Sequence, residues 1–461
     1  LQGNSNSLQG LITNNATLVF DQNISGNYLS SISGAGTFVK NGSGTLILTN
    51  ANNVGTSFVN EGTLIVNGTL GGGGLMTVAS GASLRGNGTI TKDLTINGIL
   101  SPGNSIGTLN LLGNQTFGAT SILQNELNPI NSDLVNIVGS LQIQPGASLQ
   151  VLPDPGTYTT PFTYTIIQTT AGVTGTFSTI TNSMPLLQMS VFSDGLNVFL
   201  QLTGFVPFSE LVTHGNAAKV AHCLDELSSP PGSDLALVKN TLRTLSSTQE
   251  IEEALWQMQP SEFTSLALAQ ENNTLYVSNA IFNRFDEISR SCLDLYSGAR
   301  IWAAALGGDT LQQGKNQEPG YHALTPGLVL GFEGSIDMQG YLGGCLAYTS
   351  SELDWKQAHG SSAKIQAIYA GLYGKWSGAS GYVEAAAIGS YDFYHTKREI
   401  EFSTIDREAN GFHQGREVSA HAKGTWFLYN KTNSLLLSFI RLDYLFLYEG
   451  GFYETGAGSL N

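Results

Sequence analysis

Short apolar runs separated by glycine, asparagine and serine fill the first 205 residues of the chain. Within Gly34–Gly68, the runs Thr45–Leu48 and Thr63–Val66 each follow a Gly-Thr start and begin eighteen residues apart. Similar Gly-Thr starts lie at Gly36, Gly68, Gly88, Gly107 and Gly175. A short strand with turns cannot bury its own apolar face, so copies must stack. The pattern predicts a right-handed parallel β-helix over residues 1–205, with Leu, Ile and Val stacked inward.

The apolar runs place the predicted strands of this β-helix. They are Thr17–Phe20, Leu46–Leu48, Leu64–Val66, Thr77–Ala79, Leu94–Ile96, Leu109–Leu111, Leu134–Val138, Leu149–Leu152, Tyr164–Gln168 and Leu196–Leu202.

Residues 206–298 change to a helical period. Asn216 is predicted to cap a helix whose inner face is Ala217, Val220, Ala221, Leu224 and Leu227. Ser247 and Glu250 have the spacing of a capping box. Pro260 is expected to open a longer helix that runs towards residue 298 and is too polar around its circumference for a dry core.

Residues 299–461 alternate between apolar and polar side chains. The windows are about ten residues long, which is enough to cross a bilayer when a strand is tilted. In one window Val383, Ala385 and Ala387 oppose Glu384 and Asp392. Aromatic residues are expected at the strand ends of the outward sets, namely Tyr391, Phe393, Trp426, Tyr444, Phe446 and Tyr448. About seven windows are present, and they predict antiparallel transmembrane strands around a wet lumen.

Composition narrows the classes of partner. The formal net charge is −15 and only 12% of residues are charged, which argues against nucleic acid as a partner. No run of 18 apolar residues is present, and no P-loop indicates nucleotide binding. Because the chain starts without Met or a signal peptide, we expect a mature or clipped fragment.

Candidate chemical groups are few. Residues 1–213 contain no Cys or His, which excludes a Ser-His-Asp or Cys-His site within that segment. Asp133 and Asp154 are isolated in the sequence. We therefore predict no catalytic, cofactor-binding or metal-binding residues and no enzymatic activity. Two further groups contain residue types that can carry chemistry. His214, His222, Cys223 and Asp225 fit no zinc spacing, and Glu384, His421 and Lys423 are expected to line a lumen.

The order of β-helix, helices and alternating strands resembles the classical (type V) autotransporters of Gram-negative bacteria. Lys40–Leu46 (KNGSGTL) and Gly62–Gly68 (GTLIVNG) resemble the passenger-associated repeat. The other matching segments are Leu100–Leu109 (LSPGNSIGTL), Ser132–Leu202, Asn216–Leu227, Ile251–Phe263 and Arg300–Gly307 (RIWAAALG).

This resemblance implies an organisation and a role. Residues 1–205 would be a passenger in which 132–202 seeds folding, and 206–298 a helical linker whose part from about 260 spans the pore. Residues 299–461 would be the first part of a barrel that has about a dozen strands in the family. The implied partners are outer-membrane lipid, the barrel-assembly machinery and host or cell-surface ligands, with no nucleic acid, nucleotide or cofactor.

Some autotransporters release their passenger by cyclisation of an Asn in the pore helix. Asn272 and Asn273 occupy that place, but Thr274 and Tyr276 do not match the rest of the motif, so we expect lumen-facing polar residues instead. Three alternatives stay open: an adhesive or display stalk, an enzymatic passenger with its active site upstream or spread over rungs, and a soluble two-domain β protein. The stalk in the outer membrane is favoured.

Overall fold

The computed structural model describes residues 1–290, 298–314, 319–336, 339–356, 360–431 and 434–461. Contacts divide the chain into two compact units. The first unit comprises Leu1–Thr213, Ala221–Ser229 and Ala236–Glu252. The second comprises His214–Val220, Pro230–Leu235 and Glu253–Asn461.

The first unit is a solenoid with three parallel sheets. One sheet contains Gln2–Gly3, Thr17–Asp21, Thr37–Asn41, Ser57–Val59, Met76–Val78, Leu94–Ile96, Gln115–Phe117, Leu141–Ile143 and Val173–Thr174. The second contains Gly26–Tyr28, Thr45–Leu48, Thr63–Val66, Ser83–Gly86, Ile99–Pro102, Ile122–Leu127, Ser148–Pro153 and Thr179–Asn182. The third contains Ala51–Asn53, Thr69–Gly71, Thr89–Ile90, Thr108–Leu112, Leu134–Val138, Phe162–Thr169, Leu187–Ser193 and Asn197–Phe205. A small fourth sheet pairs Ile12–Thr13 with Ile32–Ser33.

Stacked leucines form the core of the solenoid. One inward column in the second sheet is at most 1% exposed and runs through Leu46, Leu64, Leu84, Leu100, Leu123 and Leu149. Each member pairs in parallel with the next rung, which confirms the predicted parallel stacking. Burial of each leucine stabilises the fold by about 2 kcal/mol relative to an exposed side chain.

Each full turn supplies three strands rather than the single strand that the repeat suggested. The Gly-Thr starts belong to all three sheets, because Thr37, Thr63 and Thr69 each begin a strand of a different sheet. The expected start at Gly175 is wrong. Gly175 follows the strand Val173–Thr174 and has φ +84°, and a Cβ at this position would lie 2.0 Å from the carbonyl oxygen of Ile143 in the preceding rung. It is therefore a turn glycine.

The C-terminal end of the third sheet is antiparallel. Asn197–Phe205 pairs with Phe162–Thr169 on one side and with Leu187–Ser193 on the other. The hairpin buries Leu187, Leu200 and Leu202. It thereby pairs with the edge of Phe162–Thr169, which would be left open if the sheet contained only parallel strands.

Two of the three basic residues of the solenoid are buried. The ammonium of Lys40 donates to the carbonyls of Asn41, Gly42 and Glu61 at 2.7–3.0 Å. Lys92 likewise donates to the carbonyls of Val54, Gly55 and Gly73 at 2.6–2.9 Å, and so joins three successive turns. Burial lowers the pKa of each lysine to about 8. These lysines thus donate to carbonyls in the interior of the solenoid.

A buried carboxylate holds the Pro-Gly-Asn-Ser loop of the solenoid. Asp133 is fully buried and accepts hydrogen bonds from the N–H groups of Gly107 and Glu126, both at 2.8 Å. Burial raises the pKa of Asp133 to about 7, although both hydrogen bonds act in the opposite direction. The loop and the strand Ile122–Leu127 are thus fixed through one ionisable group.

Five α-helices and a 3₁₀ turn lie within residues 206–290. They are α1 (Phe208–Leu211), α2 (Gly215–Glu226), α3 (Asp234–Arg243), α4 (Thr248–Gln257), the turn Ser261–Ser265 and α5 (Leu266–Arg290). None of the described helices is long and apolar enough to cross a membrane.

The helix predictions are confirmed only in part. Asn216 is not the cap of α2, because the helix already includes Gly215, and Leu227 is 47% exposed because α2 ends at Glu226. The capping interaction at α4 is confirmed: the N–H of Glu250 donates to Ser247 Oγ at 3.2 Å. Its carboxylate, however, accepts from the N–H of Ser246 rather than from that of Ser247. Pro260 opens the 3₁₀ turn and not α5, and the predicted helical segment 291–297 lies outside the described residues.

The second unit is built on an antiparallel sheet of seven long strands in the described residues. They are β1 (Arg300–Leu311), β2 (Tyr321–Ser335), β3 (Gly340–Trp355), β4 (Ser362–Gly378), β5 (Gly381–Phe402), β6 (Ile405–Lys431) and β7 (Ser434–Glu449). Each pairs with its sequence neighbour, β1 and β7 are the two edges, and β8 (Tyr453–Thr455) adds to β6. The number of strands agrees with the prediction, but their lengths of 12 to 27 residues exceed the expected ten.

We predict that Lys92→Met destabilises the solenoid by about 3 kcal/mol, because three buried carbonyls lose their donor. The measurement is hydrogen–deuterium exchange of the full chain in detergent micelles, followed in peptides that cover residues 53–76. Arg85→Met is the control. Arg85 is partly exposed and makes only a 3.9 Å ion pair with Glu126, so its effect should stay within about 1 kcal/mol. Equal effects of the two substitutions would contradict the role of Lys92.

We predict that the solenoid loses stability as the pH rises from about 4 to about 7. In this window the folded chain keeps the proton of Asp133, whereas the unfolded carboxyl loses it near its ordinary pKa of about 4, so the folded state binds more protons. Asp133→Asn should remove this part of the pH dependence. Exchange at the Gly107 and Glu126 amides, corrected for intrinsic rates, measures it. An unchanged slope in the variant would refute the assignment.

Candidate functional site

The long-stranded sheet has one apolar face and one polar face. On β5, Val383 is 57% exposed while Glu384 is fully buried. On β2, Phe332 is 63% exposed while Glu333 is buried. The outward face is the one away from α5, and it carries the apolar members of each strand. The predicted alternation is confirmed.

Aromatic residues border the apolar face at two levels. At one level Tyr391, Arg416 and Tyr448 lie side by side on β5, β6 and β7. Trp426 lies ten residues further along β6, and Trp376 lies near the same end of β4. Ten residues of a strand tilted by about 40° rise about 25 Å, which equals the height of the lipid-facing band of outer-membrane barrels.

One detail of the aromatic prediction is wrong. Tyr391 and Phe393 lie in the middle of β5 and not at its end. The strand continues to Phe402 because β5 and β6 form a hairpin that extends past the apolar band. The aromatic residues therefore mark the edge of the band rather than the end of the strand.

The connections differ at the two ends of the sheet. At the Trp426 end the strands are joined by residues 336–339, 379–380 and 432–433. At the other end the connections are residues 312–320, residues 356–361 and the tip of the long β5–β6 hairpin. Outer-membrane barrels have short turns on the periplasmic side and longer loops outside. The N-terminal end of α5 lies at the end with the long loops.

The first turns of α5 and the preceding 3₁₀ turn pack on the inward face through apolar contacts. Phe263, Leu266 and Ala269 are buried in one cluster with strand residues that include Tyr321, Leu353, Trp355, Ile365 and Tyr394. The indole N–H of Trp355 donates to Ser265 Oγ at 2.9 Å. This end of the helical segment is thus held by packing.

The middle of α5 is held by polar contacts. Gln270 Nε2 donates to the hydroxyl of Tyr369 at 3.1 Å and to Asp392 Oδ1 at 2.9 Å. The side-chain oxygen of Asn273 accepts from the hydroxyls of Thr325 at 3.2 Å and Ser351 at 2.8 Å. These pairings explain how a helix with polar residues around its circumference can be buried.

Asn273, one of the two asparagines considered for passenger release, is held by three hydrogen bonds. Its side chain is 1% exposed, and its amide nitrogen donates to Gln270 Oε1 at 3.2 Å while its oxygen accepts two hydroxyls. The arrangement fastens the helix to the wall of the sheet.

The last described turns of α5 combine aromatic contacts with ion pairs. Phe285 meets Tyr373 edge to face at 5.5 Å between ring centroids. Arg284 lies 2.8 Å from the buried carboxylate of Glu333 and 3.3 Å from the exposed carboxylate of Glu287. From the last long strand, Arg441 donates to Ser278 and Asn279 at 2.6–2.8 Å, so the helix contacts strands from both edges of the sheet.

The residues Glu384, His421 and Lys423 lie on the inward wall. Glu384 lies 3.2 Å from both Lys375 and Lys423, and Lys423 also faces Asp286 of α5 at 3.8 Å. His421 Nδ1 lies 2.6 Å from Asp443. With Asp286 included, two carboxylates face two ammonium groups, so the charges in this part of the wall balance.

The group His214, His222, Cys223 and Asp225 is not brought together as a site. Asp225 accepts from the N–H groups of Phe208 and Ser209 at 2.9–3.0 Å and so caps α1. His222 faces Glu226 at 3.7 Å on an exposed surface. Within the described ranges, which leave out Cys292, no cluster of three or more such side chains could hold a metal.

Two arginines at the long-loop end were not singled out from the sequence. Arg398 is 2% exposed; it pairs with both carboxylate oxygens of Glu454 and donates to the carbonyls of Gln257 and Leu460 at 2.7–2.8 Å. Arg407 binds both carboxylate oxygens of Asp234 at 2.6–2.8 Å. This contact, with the N–H of Ser459, holds the pKa of Asp234 well below its usual range. In the sequence of β5 and β6, the alternation of apolar and polar residues continues beyond the length of a membrane span. This alternation is the sequence signal that points to the two arginines.

Comparison with known proteins shows which family and which proteins the chain resembles. Residues 301–461 match the Autotransporter beta-domain family. An extracellular serine protease of Serratia marcescens is 25% identical over 439 residues, which cover 82% of this chain and 41% of that protein. Outer membrane protein A of Rickettsia conorii (strain ATCC VR-613 / Malish 7) is 25% identical over 293 residues, 58% of this chain and 14% of that protein. The chain thus spans about two fifths of the Serratia relative.

A lipid-height apolar face, an inward polar face and a family match over the whole strand sheet define an outer-membrane β-domain. Residues 301–461 are thus similar to the β-domain of autotransporters, which places the strands in the outer membrane of a Gram-negative bacterium and the preceding part of the chain at the cell surface.

We predict that Glu333→Gln lowers the stability of the second unit by about 3 kcal/mol, because Arg284 loses its buried counter-ion. Glu287→Gln is the matched control. Glu287 faces the same arginine, but its side chain is 71% exposed, so the change should stay below about 1 kcal/mol. Thermal unfolding of the full chain in detergent, monitored by heat-dependent electrophoretic mobility, gives both values. A larger effect of the exposed pair would contradict the assigned role of the lumen contact.

Proposed function

We propose that the strand sheet and α5 carry the β-helix to the cell surface and then anchor it there. The observation that supports this most is the pairing of α5 with the inward wall from Gln270 to Arg284, with its N-terminal end at the long-loop side. A chain that passed outward through the lumen would end in this arrangement. Transport would need no nucleotide.

We assign residues 1–205 to the passenger, 206–298 to the linker and 299–461 to the first part of the translocating barrel. The two arginine contacts at the long-loop end support a further step in this account. Arg398 and Arg407 tie the linker, at Gln257 and Asp234, to the β5–β6 hairpin. They would hold the linker at the mouth once the passenger is outside. Insertion would use the barrel-assembly machinery, and the surface role would be display or adhesion to cell-surface ligands.

We predict that proteinase K added to intact cells that express the complete reading frame cleaves the linker outside and leaves the strand sheet protected. Asp234→Asn should increase cleavage between Asp234 and Gln257, because Arg407 loses its paired carboxylate. Glu226→Gln, which removes a solvent-exposed carboxylate from α2, is the control and should change nothing. A β-helix that stays inaccessible until the cells are lysed would overturn the proposed topology.

We predict that deletion of residues 132–202 reduces the protease-resistant β-helix at the surface while the strand sheet still inserts. This segment supplies the antiparallel hairpin that covers the end of the third sheet and the Asp133 clamp. Each rung that folds outside buries apolar surface at about 25 cal/mol per Å², which would favour outward movement. Surface proteolysis with an antibody against residues 1–131 measures the outcome, and unchanged display rejects the idea.

A second candidate is an enzymatic passenger. It is favoured by one observation, the name of the Serratia marcescens relative, an extracellular serine protease. Because residues 1–213 contain no His, a serine triad would need residues from elsewhere in the protein. Hydrolysis of a general protein substrate by cells that express the complete reading frame, blocked by a serine-directed inhibitor, would support this candidate over a stalk.

A further inference from the structure

A groove runs along the outward face of β5 and β6. Its floor consists of alanines that point away from α5, namely Ala385, Ala387, Ala420 and Ala422. Larger side chains stand at the same level on the flanking strands, where Leu372 of β4 pairs with Ala387 and Tyr444 of β7 pairs with Ala420. The groove has a volume of about 730 Å³.

The walls continue over two further rows of the sheet. In the next row Ala385 and Ala422 lie side by side, with Leu442 beyond them on β7. In the row after that, Val383 lies beside Trp376 of β4 and closes the lower end. Leu372, Trp376, Leu442 and Tyr444 are all at least half exposed, so they stand out from the sheet and do not fill the groove.

The depth of the groove identifies what can enter it. Ala420 and Ala422 lie four and six residues from Arg416 towards Trp426, so the alanine floor lies across the middle of the apolar band. The groove continues from this floor past Val383 to Trp376, in the half of the band nearest the short turns. The groove is continuous with the surface that contacts lipid. Around its part nearest the short turns, the surrounding medium is the hydrocarbon of the periplasmic leaflet.

We propose that this groove holds one acyl chain of a phospholipid from the periplasmic leaflet, with the headgroup at the level of Trp376 and Trp426. An unfilled groove would leave its walls without dispersion contacts on one side, whereas an acyl chain contacts both walls and the floor. The volume lies in the range of small-molecule sites. The two indoles have the amphipathic character found at membrane interfaces.

The test uses the full chain purified in detergent with added phosphatidylethanolamine. After extensive detergent exchange, native mass spectrometry should show about one phospholipid retained per chain, and Ala387→Phe or Ala420→Phe should reduce this fraction by roughly half or more, because the ring occupies the floor. Ala303→Phe is the matched control, since Ala303 is an exposed outward alanine on β1. Equal retention in wild type, filling variants and control would overturn the proposal.

A second measurement needs no substitution. A phosphatidylethanolamine that carries a diazirine in the middle of one acyl chain is photolysed with the unchanged protein, and the adducts are mapped. Adducts concentrated on the groove walls support the proposal. Adducts spread evenly over the outward face, or cross-links to a second copy of the chain or to another protein, overturn it. Either failure would leave the membrane location of the strand sheet untouched.

Discussion

A polar group that faces hydrocarbon without a partner is too costly to tolerate, and the second unit is organised around that constraint. Neighbouring strands pair with each other throughout the sheet, and the charged side chains Glu333, Glu384 and Lys375 lie on the inward face beside opposite charges. The remaining polar surface of the wall is covered by α5, whose own polar side chains find partners there. The helix and the sheet therefore supply hydrogen-bond and ion-pair partners to each other.

In the solenoid, too, buried charged side chains have hydrogen-bond partners. Its parallel sheets pair backbone groups between rungs, and its leucine column supplies the core. The turns leave carbonyls inside, and Lys40 and Lys92 satisfy them. Asp133 performs the complementary task for backbone N–H groups. The solenoid has few charged residues, and three of them, Lys40, Lys92 and Asp133, are buried and bind backbone groups in its interior.

Regular features of the molecule were predictable, whereas features set by tertiary contacts were not. All ten predicted solenoid strands overlap strands of the structure, because buried Leu, Ile and Val recur at fixed spacing. The strand Gln115–Phe117 is not predicted, because two of its three side chains are polar. Gly175 resembled a strand start because a Gly-Thr pair does not reveal the positive φ of a turn. The inward positions of Glu384 and Lys423 followed from alternation. The partners of Gln270, Asn273, Arg398 and Arg407 are far away in sequence, so no local pattern could identify them.

The central claim is that successive side chains of the long strands alternate between acyl chains on one face of the sheet and a polar lumen on the other. Its most direct test is a spin-label scan of residues 383–389 in the full chain reconstituted in phospholipid bilayers. The account predicts that dissolved oxygen reaches labels at 383, 385, 387 and 389 and not those at 384, 386 and 388, while a water-soluble paramagnet is excluded from the first set. Free access of the water-soluble agent to that first set would contradict the account.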